Sequence, residues 1–241
     1  MKKWAVVVCV LCCFPPSRAL SAEADSTTVN APAVEASAES ASETALPIIW
    51  TGEFFFGGAA SFPTKLTVRQ LDHPAIDVHA RYEVRPLDFP LYFSWRIARW
   101  QGDRAWAVQL IHHKLYLRDP PPEIQYFNVS HGYNLLTVDR LWRKYGAVLG
   151  AALGVVIAHP ENEVRGLVLP ELGISSYALA GPTGALSAGY DFGFARHWLA
   201  TSEVRLSASY ARVSVQDGHA SMPDFSAHAH IGLGYRFTER R

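Results

Sequence analysis

Phe225, Ala227, Ala229, Ile231, Leu233, Tyr235 and Phe237 occupy every second position near the end of the chain, and Ser226, His228, His230, Gly232, Gly234 and Arg236 fill the gaps. Successive side chains of a β-strand point to opposite sides, so this stretch reads as a strand with one apolar face and one polar or bare face. Similar stretches recur upstream. In the first, Trp50, Phe54 and Phe56 oppose Thr51, Glu53 and Gly57, and the strand resumes after Pro63 as residues 65–70. The second spans about 75–100 and is interrupted near Pro86 and Pro90, where a missing amide breaks the ladder or forces a bulge. Below that break Leu91, Phe93, Trp95 and Ile97 oppose Tyr92, Ser94, Arg96 and Ala98.

The third strand, 105–117, places Trp106, Val108 and Leu110 outward. The fourth, 123–142, separates Phe127, Val129, Tyr133 and Leu135 from Asn128, Ser130, Gly132 and Asn134, and the polar set is expected inside. In the fifth, 147–158, Leu149, Leu153, Val155 and Ile157 oppose Gly150, Ala152 and Gly154, small residues that suit a narrow, filled lumen. The sixth, 184–194, turns Leu186, Tyr190, Phe192 and Phe194 outward and Ser187, Gly189 and Asp191 inward. The seventh, 198–215, sets Trp198, Val204, Leu206 and Tyr210 against Thr201, Glu203, Arg205, Ser207 and Ser209.

Three connections are short, at Gly102, 144–146 and 196–197. Four face the other way, at 71–74, 119–122, 159–182 and 216–224. Short turns at one end and longer loops at the other, with apolar faces flanked by aromatics, are the marks of an outer-membrane barrel. The expected fold is all-β: an eight-stranded, antiparallel, up-and-down transmembrane β-barrel over 48–241, with both termini periplasmic. Ten strands is the alternative, if Pro86 and Pro90 separate two full strands.

The beginning of the chain agrees. Residues 1–22 read as a signal peptide, with Lys2 and Lys3 before an apolar core from Trp4 to Phe14 and cleavage after Ala22 or Ala24. Cys9, Cys12 and Cys13 all lie inside it, so a processed chain has no thiol for a disulfide, a thiolate metal site or a nucleophile. Leu11 and Cys12 stand where a lipoprotein anchor needs a small residue. Residues 23–47 are rich in Ala, Ser and Glu, with no aromatic and no basic residue, and read as a disordered periplasmic tether. From Leu46 onward 19 basic side chains face 17 acidic ones, which excludes a strong field for nucleic acid. No run of about 18 apolar residues follows the signal, which excludes a helical membrane protein. The expected partners are outer-membrane lipids, lipopolysaccharide among them, and the outer-membrane assembly machinery.

Candidate chemistry lies in the histidines. With the strands directed as above, His73, His79, His112, His113, His131, His159, His219, His228 and His230 fall toward the outer rim, and His197 alone lies at the periplasmic side. Imidazoles gathered at one end can ligate a metal or supply a general base, and they are also ordinary rim residues. A divalent metal ion is the candidate cofactor. His228 and His230, two residues apart on one face, are candidate ligands for it or a hydrogen-bonded lumen pair. Glu53, Arg96, Asp191, Glu203, Arg205 and Arg236 point into the lumen, where charges deprived of bulk water must pair. A His/Ser lipid deacylase would need a pair such as His219 and Ser221, which has no evident carboxylate.

Several stretches resemble the outer-membrane lipid A oxidase group and its small barrel relatives. They are 90–96 (PLYFSWR), 108–116 (VQLIHHKLY), 131–138 (HGYNLLTV), 150–160 (GAALGVVIAHP) and 177–182 (YALAGP), and they cover most of the chain beyond the tether. His112, Lys114, Gly132, Asn134 and His159 carry the specific part. Gln109 stands where that group has an acid. The resemblance implies oxidation of the lipid A glucosamine at the outer leaflet with dioxygen. It also implies His112, Lys114, His131 and His159 as catalytic residues and Lys114, Arg118 and Asn134 as headgroup contacts. The alternative function is a non-enzymatic barrel that stabilises the envelope or interacts at the surface.

Overall fold

The structure, a computed structural model, describes residues 46–170 and 176–237. The expected signal peptide and nearly all of the tether fall in 1–45, outside the described residues. The strands are β1 (Ile48–Ser61), β2 (Thr64–Gln70), β3 (Ile76–Glu83), β4 (Phe93–Gln101), β5 (Arg104–Arg118), β6 (Ile124–Lys144), β7 (Ala147–Ala158), β8 (Glu161–Val164), β9 (Leu167–Val168), β10 (Ala178–Gly193), β11 (Trp198–Val215) and β12 (Gly218–Phe237). They form one antiparallel sheet. Eight of them close a ring in the order β1, β4, β5, β6, β7, β10, β11, β12, sealed where β1 pairs with β12 from Trp50–Phe237 to Ser61–Ser226. Closure leaves no open strand edge around the ring, the condition for crossing hydrocarbon with strands.

The first two barrel strands are each built in two pieces. β2 continues β1 past Pro63 and pairs with the outer part of β12, Gly218 to Ser221. β3 pairs with β2 and with β5 at Arg81 to Glu83, and β4 takes up the same course below the break at 84–92. Pro63, Pro86 and Pro90 carry no amide to donate, so the ladder stops at them and resumes beyond. The ring therefore has eight members, not ten.

Inside and outside exchange character along the barrel. In the lower part the exterior is apolar and exposed: Phe54, Trp106, Val138, Leu153, Leu186, Val204 and Leu233 among others. Tryptophans at Trp50, Trp106, Trp142 and Trp198 edge it below, and Tyr210 and Phe225 edge it above. Trp198 to Tyr210 on β11 covers twelve residue steps, a height of roughly 30 Å at ~3.3 Å per step and ~40° of tilt. A band of that height and composition matches a bilayer core. Above it the exterior turns polar, with Lys65, Thr67, Arg69, Asp77, Arg81, Arg118 and Arg212, while Leu66, Val68, Ile111, Leu115, Phe127, Tyr133, Met222 and their neighbours fill the interior as an apolar core.

That exchange corrects the reading of the fourth strand. Phe127, Val129, Tyr133 and Leu135 are buried inside, whereas Asn128 and Asn134 lie on the outer wall. Above the band the outer medium is water, so the apolar set turns inward as it would in a soluble barrel. The outer connections are also tighter than expected. β11 and β12 meet in a turn at 216–217, so 218–224 is strand, and the long loop from 159 holds the β8–β9 hairpin before β10 starts at Ala178. At the opposite end β6 and β7 join through Tyr145–Gly146, both with positive φ (53° and 81°), the backbone of a tight hairpin turn.

Candidate functional site

Two groups of titratable side chains stand out, one plugging the lumen and one on the outer wall. The lumen group begins at the short-turn end, where Arg143 Nη2 donates to Asp191 (2.5 Å) and Thr201 donates to the same carboxylate (2.9 Å). Above it Arg96 clamps Glu53, through Nε (2.9 Å) and Nη2, and reaches Glu203 through Nη1 (2.5 Å). Gln109 joins Glu203 (3.0 Å) to Arg205 (3.0 Å), and Arg205 is paired with Asp139 (2.6 Å) and Thr137 (2.9 Å). Higher still, the Tyr92 hydroxyl lies 2.7 Å from His228 Nδ1 and 2.8 Å from His230 Nε2. His228 Nε2 in turn meets Ser207 (2.9 Å), and His230 Nδ1 lies 3.3 Å from Glu203. His113 completes the stack beside Ser226 (3.3 Å).

Apart from Arg143 at the lower mouth, these side chains are buried, and their bonds cross the lumen from wall to wall. Burial of several charges is sustained only by such mutual pairing. The structure brings together Glu53, Arg96, Glu203 and Arg205, sets Asp191 one layer below, and leaves Arg236 half-exposed at the lower mouth. His228 and His230 share one tyrosine hydroxyl, and among the described residues no three His, Cys, Asp or Glu side chains converge to hold a metal. Sequence reasoning missed Asp139, Thr137 and Tyr92. The inverted parity on the fourth strand hid the first two, because odd-numbered positions from Tyr133 to Leu141 face inward on β6.

The outer-wall group is positioned by an irregularity. Between the pairs His113–Tyr133 and Leu115–Val129, three residues of β6 (Ser130, His131, Gly132) oppose one of β5 (Lys114). Gly132 has φ +137°, and a Cβ there would lie 2.3 Å from the Asn134 side chain, so the kink needs glycine. The bulge swings His131 outward, where its Nδ1 bonds Glu161 at the head of β8, and Ser130 Oγ donates to the same carboxylate oxygen (2.6 Å). The His159 ring lies 5.2 Å from that of His131 and 4.7 Å from Tyr177. Tyr177 donates its hydroxyl to the His131 carbonyl (2.7 Å), and partial burial next to Glu161 pushes its phenol above the ordinary value. Both ring nitrogens of His159 are buried without a protein partner.

Next along β6, Asn134 Oδ1 accepts from His112 Nδ1 (2.8 Å), and the His112 ring stacks on Phe93 with centroids 5.2 Å apart. Lys114 is buried rather than displayed, its Nζ donating to the Asp88 carbonyl (2.7 Å) in the segment that interrupts the second strand. Arg118 is exposed beyond it, 3.8 Å from Asp119. Thus His112, Asn134, His131 and His159 share one sector of the outer wall at the upper edge of the apolar band. Lys114 sits under a cover, and Arg118 lies farther out. Glu161 was missed in sequence because it precedes a hairpin that alternation over four residues does not reveal. His219 is not near this group; it lies on β12 beside Arg212 (3.1 Å), and burial together with that cation holds its pKa below the usual histidine value. Its partner in the tripeptide, Ser221, lies on the same face two residues on, and His219 Nδ1 meets Arg212 rather than that hydroxyl.

The chain is an eight-stranded transmembrane β-barrel with a plugged lumen and a titratable patch on its wall. No protein-family model and no curated protein matches it. Among solved structures it is similar to the outer membrane protein OprG from Pseudomonas aeruginosa, at 11% identity and a TM-score of 0.48, over 81% of this chain and 97% of that one. It is also similar to the outer membrane protein AlkL solved in DMPC bilayers, at 12% identity and a TM-score of 0.48, over 89% and 99%. A third is Ail, the attachment invasion locus protein of Yersinia pestis, at 15% identity and 0.37, over 78% and 98%. These are likenesses in strand arrangement.

Proposed function

We propose that the protein is an integral outer-membrane barrel, both termini periplasmic, that acts on the headgroup of lipid A from its outer wall. The observation that supports this reading is the placement of the histidine–carboxylate cluster. His131, Glu161, Ser130 and His159 lie outside the barrel at the level where a bilayer's headgroups begin, not in the lumen. A half-exposed imidazole bonded to a carboxylate is the usual form of a general base, and Ser130 and His112 add hydroxyl and imidazole groups within the same sector. Arg118, exposed and only loosely paired with Asp119 (3.8 Å), would meet a lipid phosphate. Oxidation of the glucosamine would in addition require dioxygen as the two-electron acceptor, reduced to hydrogen peroxide, and among the described residues no three His, Cys, Asp or Glu side chains converge there to hold a divalent ion. The test is mass spectrometry of lipid A from aerated cells with and without the gene, and with His131→Ala or Glu161→Gln in its place. A mass change that both variants abolish, with the barrel still folded, supports the proposal; identical spectra in all strains refute it.

The second reading, a surface-interaction barrel, is favoured by one separate observation. The part above the band has a polar exterior, its own apolar core and ion pairs such as Lys65–Asp77 (2.9 Å) and Arg81–Asp119 (3.3 Å) on its surface. Unchanged lipid A together with loss of a surface phenotype on deletion would select it.

A further inference from the structure

At the short-turn end the exterior is not uniform around the ring. On β10 to β12 it ends in Tyr190, Phe192, Phe194, Trp198, Tyr235 and Phe237. On β4 to β6 it ends in arginines. Arg99, Trp106 and Arg140 are direct neighbours across three adjacent strands, and Arg104 lies one step further down opposite Gln101 and Trp142. Arg140 lies over the Trp106 ring (5.1 Å) and that of Trp142 (6.0 Å) and donates to the Ala105 carbonyl (3.3 Å). The side chains of Arg99 and Arg104 have no partner among the described residues. With Gln101, Asp103 and Leu46 they line a cleft of about 560 Å³, carrying three cationic groups and one anionic group. Immediately toward the bilayer, Ile97, Val108, Val138 and Leu153 form one lateral row of exposed aliphatic side chains, paired strand to strand.

We propose that this cleft binds a single anionic phospholipid of the phosphatidylglycerol type. Its phosphodiester would sit between Arg99 and Arg104, a headgroup hydroxyl would donate to Asp103, and its chains would lie along the aliphatic row. Two unpaired guanidiniums at the edge of a tryptophan belt match a phosphate at interface depth, where each basic side chain adds roughly fivefold to anionic-lipid affinity. The cleft size suits a headgroup. A merely structural belt would repeat around the ring, whereas this patch covers three strands of eight. The assignment to a periplasmic-leaflet phospholipid rests on the orientation proposed above.

The experiment places the full chain in nanodiscs of equal phosphatidylcholine and phosphatidylglycerol and counts lipids retained on release by native mass spectrometry. The wild type retains phosphatidylglycerol over phosphatidylcholine by about 25-fold, following from two such arginines. Arg99→Gln with Arg104→Gln brings the ratio near one while heat-modifiable gel mobility shows a folded barrel, and Arg212→Gln at the opposite end leaves it unchanged. Excess inorganic phosphate does not displace the lipid. The proposal is overturned by an even ratio in the wild type or by a preference that survives the double variant. Displacement by free phosphate, or selection of lipopolysaccharide over phosphatidylglycerol by this cleft, overturns it equally. Failure of the chain to enter discs refutes the membrane reading instead.

Discussion

Replacing Arg96 by methionine removes the cation that holds two buried carboxylates together. Arg96 donates twice to Glu53 and once to Glu203, and all three side chains are at most 3% exposed. After the change Glu53 keeps only the Thr51 hydroxyl (2.9 Å), and Glu203 keeps Gln109 (3.0 Å) and His230 (3.3 Å). Hydrogen bonds to charged groups contribute ~1.5–3 kcal/mol each, and here the stranded charges set the total: breaking a buried pair costs about 3–5 kcal/mol. That is about a fifth or more of the stability of an ordinary domain, ~5–15 kcal/mol. Neutralising the whole group tests the cause. Glu53→Gln with Arg96→Met and Glu203→Gln leaves no unpaired charge, and the triple variant should lie within about 2 kcal/mol of wild type although it has lost more bonds. The assay is equilibrium urea unfolding in vesicles, followed by tryptophan fluorescence. A loss under about 1 kcal/mol in the single variant, the range of a solvated surface pair, would show that the lumen is wet and the reasoning wrong.

Two further outcomes follow from the same geometry. The bonded side chains from Asp191 up to His113 leave no free path, so planar bilayers containing the protein should show no steady conductance, and Arg96→Ala with Arg205→Ala should introduce one; steady channels in the wild type would contradict the plug. Gly132→Ala forces a side chain into a +137° backbone angle against Asn134 and should cost about 1–3 kcal/mol while detaching His112 from Asn134. An unchanged unfolding midpoint and unchanged imidazole NMR shifts at His112 would show that the bulge tolerates a Cβ.

Strand positions were legible because a two-residue period is a direct consequence of pleating, and Phe225 to Phe237 carries it without interruption. The broken first and second strands were legible too, since Pro63, Pro86 and Pro90 lack the amide that a ladder needs, although Pro182 and Pro223 lie within continuous strands. What alternation cannot state is the medium outside. On β6 the apolar set Phe127, Val129, Tyr133 and Leu135 looked like a lipid face, yet it lies above the band where water is outside, and it packs inward. One inverted parity had two consequences: it concealed Asp139 as the partner of Arg205, and it placed Asn134 in the lumen instead of against His112. Lys114 was legible as a cation but not as a covered one, because its cover is a loop some 26 residues away in sequence. Glu161 joined the cluster through a bulge and a short hairpin, neither of which has a period to read.

Two leucines with similar exposure separate lipid from water on the barrel's exterior. Leu153 is 77% exposed in the middle of the apolar band, and Leu71 is 72% exposed in a turn above it. Each is replaced by arginine, and the unfolding free energy is measured in the same vesicles. Leu153→Arg should cost about 2–4 kcal/mol, the penalty at a bilayer midplane, and Leu71→Arg should change stability by no more than ~0.5 kcal/mol. Equal, small effects at both sites would mean that water wets the whole wall, and the protein would not be a membrane barrel.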